Sequence, residues 1–275
     1  MIGIFDTGLG GLSVWRALAT ALPNRTMLYL ADQARAPYGP RQLSAVRALT
    51  LGCLAWLIEQ GCRTVVLACN TATAAAADEA RALWPHISVV GIEPAVKPAA
   101  QATRTGVIGV LATQATFESP RYMSLTRRYA AEVRVLPRAC PHWVALVEDG
   151  PGQRADTSAL VDAEIEPLLD AGADQIVLGC THFPLLMPWI EAAVVRWRTL
   201  RGVDRAIQVL DPAPAVARQA ARVEQLGASV LAGDQFWTTG DPRRFAIRAA
   251  EALGDDWKFG QCRLLPLSAL SPADL

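Results

Sequence analysis

Residues 65–71 read VVLACNT, and residues 176–182 read IVLGCTH. Each is a short apolar, β-branched run that ends in a small residue and then a cysteine. A second pair stands upstream, IGIFDTG at 2–8 and IGVLATQ at 108–114. The order in each half is the same: an Ile-Gly strand ending near a threonine, then a strand ending at a cysteine. The spacings agree too, 63 residues from Asp6 to Cys69 and 68 from Ala112 to Cys180. The chain therefore reads as one α/β unit used twice, with one thiol per copy. Two opposed acid–base groups of this kind suit inversion at a carbon that bears an acidic proton.

Working outward, apolar runs alternate with helical stretches. Strands are expected at 2–5, 27–30, 64–68, 88–92, 106–111, 133–136, 175–178 and 207–210. Helices are expected at 11–21, 42–60, 72–84, 95–102, 117–130, 157–171, 184–198, 213–226 and 242–253. The strands are continuously apolar rather than alternating, as in a parallel sheet covered by helices on both faces. The expected fold is α/β: two pseudo-symmetric lobes with mainly parallel sheets and an active site in the cleft between them. Lobe A takes 1–95 plus 207–275 and the first cysteine; lobe B takes 96–206 and the second. Asp211-Pro212 and Asp241-Pro242 each read as a cap followed by proline at the first helical position. Ligands in such folds bind beyond the carboxyl ends of the strands. Asp6, Cys69, Thr113 and Cys180 all fall there.

The 275 residues are 52% hydrophobic, enough for a substantial core, and 26 basic side chains balance 26 acidic ones. That balance gives no general attraction to nucleic acid. No apolar run reaches the ~18–20 residues of a membrane span. The opening MIGIFDTGLGG lacks the basic and apolar regions of a signal peptide, so the expected location is cytoplasmic. Six cysteines (53, 62, 69, 140, 180, 262) in a core-rich chain of this type read as free thiols. Cys53 and Cys62 fit small core residues, whereas Cys140 and Cys262 have no assigned part. There is no C-x-x-C, and the three histidines (His86, His142, His182) are scattered, so no metal is expected. Lys97 and Lys258 are the only lysines and neither accompanies a motif thiol, which disfavours a pyridoxal cofactor.

DTGLGG (6–11) follows a strand and opens a helix. It has neither the Lys-Ser/Thr of a phosphate loop nor the third, later glycine of a dinucleotide fingerprint. Two readings stay open: a tight turn capped by Asp6, or a site where Asp6 tunes a base and Thr7 with nearby N–H groups holds a carboxylate. In ACNTATAAA (68–76), Cys69 stands at a helix N-terminus, which makes a thiol more reactive. GCTHFPLL (179–186) repeats the arrangement around Cys180. A single strand-end cysteine is more often a buried core residue; the pair in matched contexts argues for function. His182 follows the second cysteine closely enough to assist it. Glu148 ends an apolar helix-like run and could equally be a solvated helix end. Pro37, Tyr38 and Gly39 form a turn by composition. Thr113 and Thr116 fit either a helix cap or a ligand contact.

FDTGLGGLSV (5–14), APYG (36–39), ACNTA (68–72), IGVLATQATFES (108–119), CPHWVALVEDG (140–150) and LGCTHFPLL (178–186), in this order, resemble the cofactor-independent aspartate/glutamate racemase superfamily, and within it the glutamate racemases. DPAPAVA (211–217) and TTGD (238–241) look like weaker segments of the same family. The resemblance spans nearly the whole chain. It implies two facing lobes around a buried glutamate, no cofactor, and a product that feeds peptidoglycan synthesis. It puts Cys69 and Cys180 at the positions of the two bases, Asp6 beside the first, and His182 and Glu148 beside the second. Thr7, Pro37, Tyr38, Gly39, Asn70, Thr71, Thr113, Thr116 and Thr181 match substrate-binding positions. Two departures stand out: DTG where DSG is usual, and THF where THY is common. A racemase of aspartate or another acid, and a noncatalytic amino-acid binding protein, are the alternatives. A homodimer is left open.

Overall fold

Runs such as Ile2–Phe5 and Val65–Leu67 carry no polar side chain, so both faces of a strand built from them must be covered. The computed structural model describes residues 1–224, 233–254 and 262–270. In chain order the strands and α-helices are β1 (Ile2–Asp6), α1 (Leu12–Ala21), β2 (Met27–Ala31), α2 (Leu43–Glu59), β3 (Thr64–Leu67), α3 (Asn70–Leu83), β4 (Ser88–Gly91), α4 (Val96–Ala102), β5 (Val107–Ala112), α5 (Gln114–Glu118) and α6 (Pro120–Tyr129). They continue as β6 (Arg134–Ala139), α7 (Trp143–Asp149), α8 (Thr157–Asp170), β7 (Gln175–Leu178), α9 (Met187–Arg201), β8 (Gln208–Leu210), α10 (Ala213–Val223), β9 (Gln235–Thr238), α11 (Pro242–Leu253) and β10 (Arg263–Leu264).

Two units result, Met1–Ile92 with the described part of Ala213–Leu275, and Glu93–Pro212. The first holds a parallel sheet in the order β10-β9-β2-β1-β3-β4, and the second one in the order β6-β5-β7-β8. β1, β2, β3 and β7 are buried at every residue, whereas the edge strands β6 and β8 have no fully buried residue. β8 hydrogen-bonds to β7, so the second unit runs to Pro212; the sequence places the divisions at 95/96 and 206/207. Among the described residues, no helix is long and apolar enough to cross a membrane.

The repeated Ile-Gly has one physical cause in both units. A Cβ at Gly3 would come within 2.9 Å of Val65 Cγ1 and 3.1 Å of Cys62 Sγ. At Gly109 it would meet Leu168 Cδ1 at 2.8 Å and Ile176 Cδ1 at 3.0 Å. The glycine thus lets a neighbouring side chain lie directly on the strand. Gly109→Ala is expected to cost about 1–3 kcal/mol through overpacking, read as a lowered urea midpoint; an unchanged midpoint contradicts it.

Several elements differ from the sequence reading. β9 and β10 are additional strands, adding two to the first sheet. The helix expected over 117–130 is broken: Ser119 is extended, caps α6 by accepting from Tyr122 N, and precedes Pro120 at the first helical turn. The helix expected from 184 begins as a 3-10 turn, Phe183–Leu186, and becomes α-helical at Met187. Asp241 caps α11 ahead of Pro242 as expected, whereas α10 starts at Ala213, one residue beyond Pro212. Residues 225–226 of the expected 213–226 helix lie outside the described residues.

Candidate active site

The carboxyl ends of β9, β2, β1 and β3 lie side by side in the first sheet, and each is followed by a segment singled out above or adjoining one. At the end of β1, the fully buried Asp6 accepts from Gly8 N through Oδ1 at 2.8 Å. The Tyr29 hydroxyl donates to Gly8 O at 2.8 Å. A Cβ on Gly11 would fall 2.6 Å from Asp6 Cβ and 2.7 Å from the Tyr29 hydroxyl. Glycine at 11 is therefore required for the DTGLGG turn to close over its own aspartate. Thr7 is buried beside it.

Beyond β3, Cys69 is the N-cap of α3, and its sulfur accepts from Ala72 N at 3.5 Å. That contact and the helix dipole both favour negative charge on the sulfur. Asn70 is 8% exposed, and neither its amide nitrogen nor its amide oxygen has a hydrogen-bond partner among the described residues. A buried primary amide with no partner points to a ligand. Thr71 is half-buried in the first turn of α3. Beyond β2, Pro37 and Gly39 are accessible, while Tyr38 is buried with its hydroxyl donated to Asp32. The Ala36–Pro37 peptide is cis.

In the second unit, Cys180 follows β7 and is 8% exposed. A Cβ on Gly179 would lie 2.9 Å from Leu111 O, so close strand approach demands a small residue before the thiol. Cys180 Sγ is 3.9 Å from His182 Nδ1, and His182 Nε2 is 2.8 Å from Glu148 Oε1. His182 is 3% exposed and Glu148 24%. With Nε2–H donating to the carboxylate, Nδ1 of the neutral ring is left as an acceptor toward the thiol. Phe183 and Trp143 are both buried and meet edge to face, centroids 4.9 Å apart. Trp143 opens α7, the helix whose last turn carries Glu148, so this pair seats the histidine against the carboxylate. Phenylalanine in THF therefore serves a wholly apolar contact. Thr113 Oγ1 lies 3.0 Å from Thr116 Oγ1 beyond β5, and Thr181 is buried.

Cys180 is not a second Cys69 in its local backbone. It precedes a 3-10 turn whose cap is His182, and its own carbonyl accepts from Phe183 N. Two of the remaining thiols are held back from ionising. Burial pushes Cys62 up to about 12, and burial followed by the nearby Glu164 and Cys180 pushes Cys140 up further. Among the described residues, no three His, Cys, Asp or Glu side chains gather as a metal site needs. The sequence reading did not single out Asp32. Its signal is its place immediately after the apolar run MLYLA, matching Asp6 after IGIF.

A family model described as Asp/Glu/Hydantoin racemase matches residues 2–220. The chain is 47% identical to a glutamate racemase of Roseiflexus sp. (strain RS-1) over 251 residues, 89% of each chain. Among solved structures it resembles a glutamate racemase isoform from Bacillus anthracis, with a TM-score of 0.82 at 28% identity over 97% of both chains. It also resembles Escherichia coli glutamate racemase solved with L-glutamate, with a TM-score of 0.82 at 26% identity over 96% of this chain and 97% of that one.

Proposed function

This chain belongs to the Asp/Glu/hydantoin racemase family, and on that footing we propose that it is a glutamate racemase, interconverting L- and D-glutamate by cofactor-independent proton transfer between two thiols. The observation that carries the reading is the Cys180–His182–Glu148 series, a buried thiol backed by a histidine that is itself held by a carboxylate. One thiolate removes the α-proton while the other thiol delivers a proton to the opposite face; in the reverse direction they exchange roles. A thiol's reference pKa of about 8.5 suits proton exchange near neutrality better than a carboxylate's. Asp6 assists Cys69, and His182 with Glu148 assists Cys180.

Without an electron sink, the carbanion must be stabilised by oriented donors. Asn70 is the first of these, since leaving its amide buried and unpaired costs about 1–3 kcal/mol that a charged ligand offsets. Thr7, Thr71, Thr113, Thr116, Thr181 and the Pro37–Gly39 turn complete the set. The D-glutamate formed enters peptidoglycan synthesis, which assigns the reaction to the cytoplasm.

The test is incubation of the purified protein with L-glutamate in D2O, followed by chiral separation and mass analysis. D-glutamate carrying one α-deuterium is expected. Inversion of aspartate alone would keep the chemistry and overturn the substrate. No inversion or exchange with either acid, in folded protein with reduced thiols, sinks the reading.

A further inference from the structure

TTGD at 238–241 has no part in the chemistry above, yet its residues fasten the loop that leads to the Pro37–Gly39 turn. Asp32, fully buried, leaves β2 and gathers three side-chain donors. Its Oδ1 accepts from Thr239 Oγ1 at 2.9 Å and from Arg35 Nε at 3.0 Å. Its Oδ2 accepts from Arg35 Nε at 2.8 Å and from the Tyr38 hydroxyl. Thr239 Oγ1 also accepts from Ala34 N at 3.0 Å, and Thr239 N donates to Ala31 O at 3.0 Å. The neighbours reinforce the join. Thr238 Oγ1 donates to Gln33 Oε1 at 2.9 Å, and a Cβ on Gly240 would lie 2.9 Å from Gln33 Cβ.

The Tyr38 side chain is thus committed inward. Its ring packs on Phe5 with centroids 6.2 Å apart, and its hydroxyl is spent on Asp32. Burial, with the adjoining Asp32 carboxylate, holds that hydroxyl protonated, so it stays a donor to Asp32. What the turn can offer a ligand is its backbone, beside a Gly39 whose α-carbon faces open space. The position of that backbone follows from where Tyr38 is pinned.

We infer that Thr239 is a positioning residue for the substrate: acting through Asp32 and Tyr38, it fixes the Pro37–Gly39 turn that binds glutamate. The substrate part rests on the racemase reading; the clamp itself does not. Thr239→Val keeps the shape and removes the hydroxyl, leaving the Ala34 N–H unpaired and Asp32 without one donor. Thr239→Ser restores both bonds. Thr50→Val is the control, since Thr50 is also buried and its hydroxyl donates to Val46 O at 2.7 Å within α2.

Two readouts separate the parts. Amide hydrogen exchange over residues 34–41 is expected to accelerate in Thr239→Val and to stay near the parent rate in Thr239→Ser and Thr50→Val. The KM for glutamate is expected to rise about tenfold in Thr239→Val with kcat within about threefold, and to return in Thr239→Ser. Unchanged exchange overturns the clamp. Accelerated exchange with unchanged KM overturns the positioning role. A parent protein that does not turn over glutamate, with exchange still accelerated in Thr239→Val, overturns the racemase reading and leaves the clamp standing.

Discussion

Cys69→Ser and Cys180→Ser are each expected to lower kcat for glutamate racemisation by about 10²–10⁴-fold, the usual worth of a positioned acid–base group. A serine hydroxyl fills almost the same space but does not ionise near neutral pH, so the base is lost and the fold is kept. Both thiols are 8% exposed and sit just past the ends of central strands, where a like-sized side chain disturbs little. Each variant retains one base. In D2O it should therefore wash deuterium into the α-position of one enantiomer and leave the other protonated, and the two variants should choose opposite enantiomers. Mass analysis of resolved L- and D-glutamate reads this directly. Racemisation near the parent rate in either variant ends the two-thiol reaction. Exchange into the same enantiomer in both variants ends the assignment of one thiol to each face.

Much of this arrangement was legible because it rests on local pattern. Continuous apolar runs such as VVL and IVL can only be central strands once helices flank them, and that placed both cysteines beyond sheet ends. What periodicity could not supply was pairing. QFWT at 235–238 is short, and its register with Leu28–Ala31 on one side and Arg263–Leu264 on the other makes it a strand. The break at Ser119 came from a serine that caps better than it continues a helix. The matching of the two thiol segments was legible as sequence, but their backbones differ. Cys69 caps an α-helix, whereas Cys180 precedes a 3-10 turn capped by His182. The resemblance named Glu148 and His182 as helpers; that the carboxylate reaches Nε2, the ring nitrogen away from the thiol, was not readable from a separation of 34 residues.

That last contact carries the second large effect. His182→Asn is expected to lower kcat by about a hundredfold, within the range for a group that moves or stabilises a proton. Glu148→Gln should cost about tenfold, because a neutral amide still orients the ring but stabilises its protonated form far less. Adding Glu148→Gln to His182→Asn should cost little more, since the carboxylate acts through the ring and not on the substrate. Isotope effects give a finer reading. When Cys180 abstracts the proton, slowing that step enlarges the effect of α-deuterated substrate. When Cys180 delivers the proton, the same slowing enlarges the solvent effect, because a thiol proton has come from water. In His182→Asn the substrate effect should therefore grow with one enantiomer and the solvent effect with the other. Equal growth of both effects in both directions, or kcat near that of the parent, means that His182 does not serve Cys180.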